Sequence, residues 1–521
     1  MARGGKKKSA TSRKVNSQSA TVVKPKQQQS IFKKSPVHDL LHNFQRVPDQ
    51  WAGRYVLVMS AVILRAAIGL GGFSGYNVPP VFGDFEAQRH WMELTIHLPV
   101  SEWYFFDLTY WGLDYPPLTA YHSYILGKIG SFIEASWFTL NESRGIEIDG
   151  IKFYMRFTSI VSELIFYIPA VLSIANSMGK KFNLSRMDQI IISLIIINQP
   201  HLILIDHGHF QFNSVMLGLF LYSLIELIKK NYMMASVWFI ACINFKQMGL
   251  YYSTFIFVFI LSQLKSFQEL ILVGFTVILT QLVILLPFIG DRNNLIQIVT
   301  RVFPFHRGLF EDKVANFWCT TNVIVKYREL IDLQNLSKIS LAATILAFTP
   351  INLMLFFKLR NSKHLTRGLI YGFAGNSLAF YLFSFQVHEK SILIPLIPAT
   401  LILLIDPTQI DIIQWVNNVG TFSLYPLLKK DDLVLQYAVS NFLINWLIGP
   451  KLLLSNQNLL WSIIIKGTYL LMIICHILDY AIIPPARYPD IWVVFNIGIS
   501  FLGFSLFFLW LNYKVYKLKV E

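Results

Sequence analysis

Roughly fourteen apolar runs, each near the length of about 20 residues that crosses a bilayer as a helix, divide this sequence from residue 55 onward. The composition agrees with these runs: 54% of the 521 residues are hydrophobic, only 14% are charged, and the mean hydropathy is +0.48. A soluble enzyme of this length is far less apolar. The sequence therefore predicts an all-α fold, a polytopic membrane helix bundle of about 14 spans.

The first 50 residues differ from the rest of the chain in polarity and charge. They hold eleven Lys or Arg residues against Asp39 and Asp49, a large part of the net charge of +15. A segment rich in Ser, Gln and Lys cannot bury a core. We therefore expect residues 1–50 to be a disordered basic tail that its charge holds on the cytoplasmic side. Nothing in its composition favours nucleic acid as a partner.

Positive charge also orients the predicted spans. With a cytoplasmic tail and an even number of spans, the C-terminus is cytoplasmic as well, and the basic link Lys180-Lys181 falls on the same side. The link KKDD at 429–432 fits less well, because it would face outward, although its net charge is zero. Near the C-terminus, Lys517 and Lys519 resemble the dibasic retrieval signal of endoplasmic-reticulum membrane proteins.

Two loops are too long to be simple connections, and both fall on the non-cytoplasmic side, at residues 73–150 and 290–337. Long loops on a rigid scaffold are where function tends to lie. The first has the pattern of amphipathic helices in the bilayer interface. We expect residues 51–406 to form a catalytic membrane module that carries both loops, and residues 407–521 to add C-terminal membrane helices.

The stretch GDFEAQRHW, residues 83–91, places Asp84 and three more ionisable side chains at the start of one interfacial helix. An Asp there suits an N-cap, because it accepts hydrogen bonds from the first free backbone amides. Asp114, in LDYPP, suits a turn acid at the interface, since the two prolines exclude a helix interior. On spacing alone, a structural interpretation of both acids stays open beside a catalytic one.

Four further polar clusters are expected at the same membrane face as these acids. The third span ends in IDHGHFQFN, the fifth in NFKQM and the ninth in FQVHEK, and the seventh leads to RVFPFHRGLFEDK. Ionisable groups that gather at membrane depth indicate a functional site. The predicted substrate-binding residues are Glu86, Arg89, Tyr115, His207, His209, Gln211, Lys246, Arg301, Arg307, Lys313, His388 and Lys390.

A metal or nucleotide site is not indicated by any motif. His207 and His209 would point to different faces of a helix, and the chain has no HExxH, EF-hand, CxxC, P-loop or GxGxxG pattern. We expect no metal and no cofactor. What remains is a pair of acids facing several cations. Such a pairing suits a reaction in which a nucleophile loses a proton and an anionic leaving group is held.

Five sequence blocks resemble a known family. GDFEAQRHWMELTIHLPVSEWY, YWGLDYPPLTAYHSY, LIDHGHFQFNSVMLG, FPFHRGLFEDKVANFWC and FSFQVHEKSILIPL are similar to the endoplasmic-reticulum glucosyltransferases of the lipid-linked oligosaccharide pathway. That family belongs to the membrane-embedded glycosyltransferase superfamily C. The resemblance extends over most of the chain outside the basic tail, and it is closer to members that add the first glucose than to those that add the second.

The resemblance implies an activity and roles for individual residues. Dolichyl-phosphate-glucose would be the donor and lipid-linked Man9GlcNAc2 the acceptor, with an α-1,3-linked product. Asp84, in the acidic motif of the first loop, would be the general base, and Asp114 a second acid that positions the acceptor or the base. Inversion in one displacement needs no covalent enzyme intermediate. Arg301, His388 and Lys390 are the candidates for holding the leaving phosphate.

Three alternatives stay open. The enzyme that adds the second glucose shares the fold and the donor. A secondary transporter or lipid flippase would explain spans broken by Pro and Gly, but it predicts charges near the bilayer midplane and an inverted repeat. A structural subunit of a membrane complex would not need converging acids and bases. For the favoured interpretation the partners are the lipid-linked donor and acceptor and membrane lipid, with no obligate protein partner.

Overall fold

The computed structural model describes most of the chain as helices. It covers residues 1–2, 4, 30–42, 52–304, 313–360, 362, 364–454, 456 and 458–518. Within these ranges there is no β-strand, and the all-α prediction is confirmed. Helices are expected of a chain in lipid, because backbone amides and carbonyls must then bond within the segment itself.

The first half of the chain holds eleven of the described α-helices and most of the residues predicted for the site. They are α1 (Pro36–His42), α2 (Ala52–Gly69), α3 (Asp84–His97), α4 (Pro117–Ile133), α5 (Asp149–Lys181), α6 (Arg186–Ile197), α7 (Pro200–Ile203), α8 (Asn213–Ile228), α9 (Tyr232–Phe245), α10 (Ser253–Gln263) and α11 (Phe267–Leu285). A π-helical turn, Leu204–Phe210, joins α7 to the segment before α8.

The second half adds twelve described α-helices. They are α12 (Arg292–Val302), α13 (Phe317–Thr321), α14 (Tyr327–Leu330), α15 (Leu333–Leu359), α16 (Leu365–Phe383), α17 (Leu393–Leu401), α18 (Ile410–Ser423), α19 (Tyr425–Lys430), α20 (Val434–Ile448), α21 (Pro450–Leu453), α22 (Leu459–Ala481) and α23 (Ile491–Lys517). Single 3-10 turns include Gln247–Tyr252 and Glu389–Ile392, which carry residues next to the site.

Five helices in the described ranges are long and apolar enough to cross a membrane by themselves. They are α5, α11 with the turn that follows it, α15, α22 and α23. A sixth span is formed if Arg186–Ile197 and Pro200–Phe210, bent by 41°, are taken together. Shorter apolar helices are α8, α9 and α20; α8 packs against the long helix α5, and α9 packs against α11. The predicted count of about 14 spans is not confirmed and stays a prediction.

Part of the expected disordered tail is folded. Residues Ile31–Lys34 form a 3-10 turn before α1, and Phe32 is fully buried together with Val37 and Leu41. The Ser30 hydroxyl donates to Asp188 at the start of α6, and α1 packs against α6 and α20. The tail prediction is wrong for this segment, because three apolar side chains bury themselves against the bundle. Most other tail residues lie outside the described ranges.

The first loop, residues 73–150, folds differently from the interfacial helices that its pattern predicts. Every side chain of α3 from Phe85 to Thr95 is buried, including five polar or charged ones before Leu94. The interfacial prediction is therefore wrong for α3, which lies within the protein and packs against α4 and the π-helical turn. Burial makes its charged residues depend on partners in the protein.

Candidate active site

Asp84 opens α3 without capping it. The N-cap residue is Gly83, and no side chain caps the helix; the backbone amide of Asp84 donates to the Ser74 hydroxyl at 3.1 Å. The capping interpretation of Asp84 is therefore wrong. Its carboxylate is turned instead toward side chains from other parts of the bundle.

Three donors converge on one oxygen of that carboxylate. Asp84 Oδ2 accepts from His209 Nε2 at 2.9 Å, from Gln211 Nε2 at 2.6 Å, and from the Lys390 ammonium. None of the side chains in the described ranges bonds Oδ1, and the Asp84 side chain keeps 23% of its surface exposed. The carboxylate thus has one anchored oxygen and one that a ligand can reach.

The electrostatic setting keeps Asp84 ionised. Burial by itself would raise the pKa of this carboxyl, but the nearby Lys390 charge and the bond from His209 outweigh it and hold the pKa well below its usual range. As long as Lys390 stays in place, the carboxylate is a weak base, because a low pKa means a low proton affinity. Its basicity rises if that cation moves to another anion.

The segment that carries His209 is shaped by hydrogen bonds at both ends. Asp206 Oδ2 accepts from the Ser214 amide at 2.6 Å, and its Oδ1 accepts from the Asn213 amide at 3.1 Å, which satisfies the first turn of α8.

The same segment is bonded to the first loop. The Ser74 amide donates to the His209 carbonyl at 3.0 Å. Arg156 Nη2 donates to the carbonyls of Gly72 and Gly208, at 2.8 and 2.7 Å. These contacts fix the π-helical turn against the first loop.

A second group of side chains adjoins the Asp84 cluster through Gln211. Lys246, at the end of α9 and 3% exposed, donates to Gln211 Oε1 at 3.1 Å and to Asn213 Oδ1 at 2.6 Å. Its ammonium also lies over the Tyr115 ring, 4.8 Å from the centroid. Three of the predicted substrate-binding residues, Tyr115, Gln211 and Lys246, therefore lie together beside Asp84.

Asp114 precedes Tyr115 in the chain. Trp91 Nε1 donates to the Trp111 carbonyl at 2.9 Å and the Tyr104 hydroxyl to the Tyr115 carbonyl at 2.8 Å, which fixes this part of the loop on α3. Burial, then the charges of Asp84 and Asp114, raise the pKa of the Tyr115 hydroxyl well above its usual value. Both predicted acids thus act on the same tyrosine, and Asp114 is half-buried.

Glu86 and Arg89 do not face this opening. The Arg89 side chain is 0% exposed and bonds both oxygens of Glu86, at 2.8 and 2.7 Å, and Glu93 Oε2 at 2.6 Å. Its remaining nitrogen donates to the Ser143 hydroxyl and the Trp137 carbonyl. All five donors of Arg89 are thus used within the protein, and with Glu86 it holds the first loop together. Substrate binding by Glu86 and Arg89 stays a prediction.

His207 points into the bundle, away from its neighbour His209. Its Nε2 lies 2.5 Å from Glu163 Oε2, and Arg65 bonds both oxygens of the same carboxylate at 2.6 Å. All three side chains are buried. The structure thus places the His207 ring in a buried ion-pair network between helices, and substrate binding by His207 stays a prediction.

The predicted cations from the second half of the chain separate in space. Lys390 reaches Asp84, and His388 caps the same short turn, where its amide donates to the Ser391 hydroxyl at 3.3 Å. Arg301 donates to the carbonyls of Gly112 and Leu113, next to Asp114. Lys313 pairs instead with Asp490, before α23. Arg307 lies outside the described ranges.

Sequence reasoning missed one acid that reaches the cluster. His209 Nδ1 lies 2.6 Å from Asp431 Oδ2, and Asp431 follows α19 in the segment predicted to contain only C-terminal membrane helices. The sequence held one sign that this segment is unusual, because the KKDD link fitted its predicted outward position poorly.

In the parts of the chain that are described, no three His, Cys, Asp or Glu side chains are grouped to hold a metal ion. Metal-free chemistry stays a prediction.

A half-buried, ionised carboxylate with one open oxygen, set among cations in a membrane helix bundle, is the kind of site that a membrane-embedded transferase needs. Residues 61–510 match the ALG6, ALG8 glycosyltransferase family, and the chain belongs to that family. It is therefore an enzyme, and the resemblance drawn from the sequence is confirmed.

Several individual proteins are similar to this chain over nearly their whole length. A Saccharomyces cerevisiae protein named dolichyl pyrophosphate Man9GlcNAc2 alpha-1,3-glucosyltransferase is 47% identical, with 93% of this chain and 95% of the relative covered. A Schizosaccharomyces pombe protein named as a probable enzyme of the same kind is 44% identical over 91% and 94%. The Gallus gallus enzyme of that name is 36% identical over 89% and 96%.

Proposed function

We propose that this chain transfers glucose from dolichyl-phosphate-glucose to the terminal mannose of Man9GlcNAc2-pyrophosphate-dolichol, in an α-1,3 linkage, during assembly of the N-glycan precursor. The names of the relatives over nearly their whole length support the acceptor and the linkage. The single observation that carries the chemistry is the Asp84 carboxylate, ionised, anchored through Oδ2 and open at Oδ1.

The reaction is one inverting displacement. Asp84 Oδ1 takes the proton of the mannose 3-hydroxyl while the oxygen of that hydroxyl forms a bond to C1 of glucose. The bond from C1 to the phosphate oxygen breaks on the opposite face, and its electron pair leaves with dolichyl phosphate. A β-linked donor then gives an α-linked product, and no covalent glycosyl-enzyme is formed. Asp114, beside Tyr115 and Lys246, positions the acceptor.

Lys390 has two anionic partners in this scheme. Without a donor it pairs with Asp84, and with a donor it moves to the phosphate, together with His388 on the same turn. That movement removes the charge that holds the Asp84 pKa down, so the base becomes stronger when the leaving group is in place. A phosphate monoester already leaves as an anion, and protein cations can stabilise it; we propose that no metal is needed.

An apolar cleft supports a lipid-linked donor. It has a volume of about 270 Å³ and lies between Pro116-Pro117 of the first loop, the ends of α9 and α11, and one face of α12. Gln247 lines it, next in the chain to Lys246. A prenyl chain in this cleft would enter beside the charged cluster from the apolar side of the bundle.

The orientation is part of the same proposal. We place the protein in the endoplasmic-reticulum membrane with cytoplasmic termini and the Asp84 cluster on the lumenal side, because the basic residues gather in the tail and in short links. A glycosylation site engineered into residues 5–29 should stay unmodified. A glycan on that site would show that the tail is lumenal and would contradict the proposed orientation.

Purified protein, dolichyl-phosphate-glucose and two defined lipid-linked acceptors test the activity directly. We expect glucose transfer to the Man9GlcNAc2 acceptor and little transfer to the acceptor that already carries one glucose. The reverse preference would assign the chain to the second-glucose reaction. Transfer to neither acceptor, with movement of labelled lipid between leaflets of a vesicle, would favour the flippase alternative.

A further inference from the structure

Asp431 connects the C-terminal helices to the candidate base through one histidine. Its Oδ2 lies 2.6 Å from His209 Nδ1, and His209 Nε2 lies 2.9 Å from Asp84 Oδ2. His209 is 2% exposed and Asp431 8%, so water does not replace these contacts. The three side chains form a continuous acid–imidazole–acid row from α19 to α3.

The position of Asp431 is fixed by its backbone as well as its side chain. A Cβ added to Gly72 would collide with the Asp431 carbonyl oxygen, so the turn after α19 lies directly on the first loop. Leu433 is fully buried, and a Cβ at Gly208 would lie 2.8 Å from its Cδ1. The turn therefore contacts both the loop before Asp84 and the turn that carries His209, and only glycine allows the first of these approaches.

The charge of Asp431 decides which hydrogens the imidazole carries. A carboxylate at each nitrogen favours a hydrogen on both, so that His209 donates to both acids, while the Lys390 ammonium lies 3.2 Å from Nε2. Without the carboxylate at Nδ1, a neutral ring has one hydrogen to share, and a hydrogen on Nδ1 leaves a lone pair facing Asp84 Oδ2. The Lys390 ammonium, 3.2 Å from Nε2, can donate to that lone pair while it stays in place. Once Lys390 has moved to a donor, the opposing lone pairs would push the Asp84 carboxylate out of place.

We propose that Asp431 is a positioning residue for glucose transfer: it holds the His209 ring so that Nε2 donates to Asp84 Oδ2 and presents Oδ1 to the acceptor. The role rests on the proposed function. It matters most when Lys390 is engaged by the donor, because His209 and Gln211 are then the donors that remain on Oδ2. In this way a side chain from residues 407–521 completes a site otherwise built from residues 51–406.

The test uses Asp431→Asn, with Asp432→Asn as a matched control. Asp432 is the next residue, is exposed, and has φ 57°, a conformation that Asn also adopts readily. With full-length protein, dolichyl-phosphate-glucose and the Man9GlcNAc2 acceptor, we expect Asp431→Asn to lower kcat about 10- to 100-fold, as loss of an outer-sphere orienting partner does at metal sites. Both KM values should change little, and Asp432→Asn should match the wild type.

A third variant separates positioning from packing. His209→Gln keeps an amide donor near Asp84 but loses the link to Asp431, so it should lose a similar factor in kcat. The double variant His209→Gln/Asp431→Asn should lose no more than His209→Gln alone, because Asp431 acts through that ring. If Asp431→Asn fails to fold, His209→Gln decides alone, and full turnover in that variant overturns the proposal.

The outcomes against the proposal are separate from those against the proposed function. Wild-type kcat in Asp431→Asn, an equal loss in Asp432→Asn, or losses that multiply in the double variant would each overturn the role of Asp431. Wild-type protein that transfers no glucose would instead contradict the proposed function. Thermal unfolding of every variant in the same detergent assigns each loss to chemistry or to folding.

Discussion

Two charged clusters share helix α3, and they differ in how fully their polar atoms are bonded. Around Arg89, five hydrogen bonds to Glu86, Glu93, Ser143 and the Trp137 carbonyl use all the donors of a fully buried guanidinium. Around Asp84, three donors share one carboxylate oxygen, and the side chain stays partly exposed. The first cluster is closed and the second is open.

This difference in bonding predicts a structural role for the Arg89 cluster and a chemical role for the Asp84 cluster. A buried ion pair whose every group is satisfied can only hold elements together, because substrate would have to displace a bond of equal strength. A carboxylate with an open oxygen and a movable cation can accept a proton. Changes on one helix should therefore have opposite signatures: lost turnover with retained folding at Asp84, and lost folding with retained turnover at Arg89.

The largest expected effect is at the open cluster. Asp84→Asn should lower turnover at least about 100-fold and up to about 10,000-fold, the range of general-base effects, since an amide cannot accept the proton. The melting temperature should stay close to that of the wild type, because the oxygen of the introduced amide can still accept from Gln211 and Lys390. Turnover with saturating donor and acceptor, measured beside thermal unfolding, checks both parts.

Substitution of Arg89 in the closed cluster should lower the stability of the fold. Arg89→Met leaves Glu86 and Glu93 buried without their cation, which typically costs about 3–5 kcal/mol of unfolding free energy. Arg144→Met is the matched control in the same loop: its partner Asp107 is partly exposed, so a loss of at most about 1 kcal/mol is expected. Thermal unfolding in detergent compares the two. Equal melting temperatures for both variants would mean that the Arg89 cluster does not hold the loop.

A smaller effect is expected from the cation that links the base to the donor. Lys390→Met should raise the donor KM by about 10- to 100-fold, since a hydrogen bond to a charged group is typically worth about 1.5–3 kcal/mol. Turnover should fall less, because loss of the Lys390 charge also strengthens Asp84 as a base. Lys313→Met is the control, since Lys313 pairs with Asp490 at a half-exposed site. An unchanged donor KM in Lys390→Met would remove the phosphate role.

The smallest effect concerns pH. Although burial alone would raise it, the bonds and charges of His90 and Arg89 lower the pKa of Glu93 from 4.5 to about 2. A depressed carboxyl pKa stabilises the fold above the unfolded value, and that contribution is lost as pH falls from about 4.5 toward 2. Wild-type melting temperature should thus fall more steeply over this window than that of Glu93→Gln. Parallel curves would contradict the assignment.

The sequence predicted the all-α fold class, which is confirmed, and pointed to Asp84 as the candidate base, but it did not reveal the division between the two clusters. Apolar runs predict helices because lipid leaves the backbone no other partner, and sequence blocks led to Asp84 through resemblance. Asp84 and Arg89 lie in the same nine-residue stretch, however, and only tertiary partners distinguish them. Asp431 lies 222 residues from His209 in the chain, a pairing that no local pattern encodes. The described ranges hold one bent pair of helices, Arg186–Ile197 and Pro200–Phe210, and a run of apolar residues does not reveal its angle of 41°.

One ratio tests the contrast most directly: the turnover of folded Asp84→Asn protein divided by that of folded Arg89→Met protein, each normalised to its folded fraction. If the open carboxylate is the base and the closed cluster is scaffold, the ratio is on the order of 0.01 or lower, the weakest expected general-base effect. A ratio near 1 would contradict the account, because both clusters would then contribute equally to the reaction or to the fold.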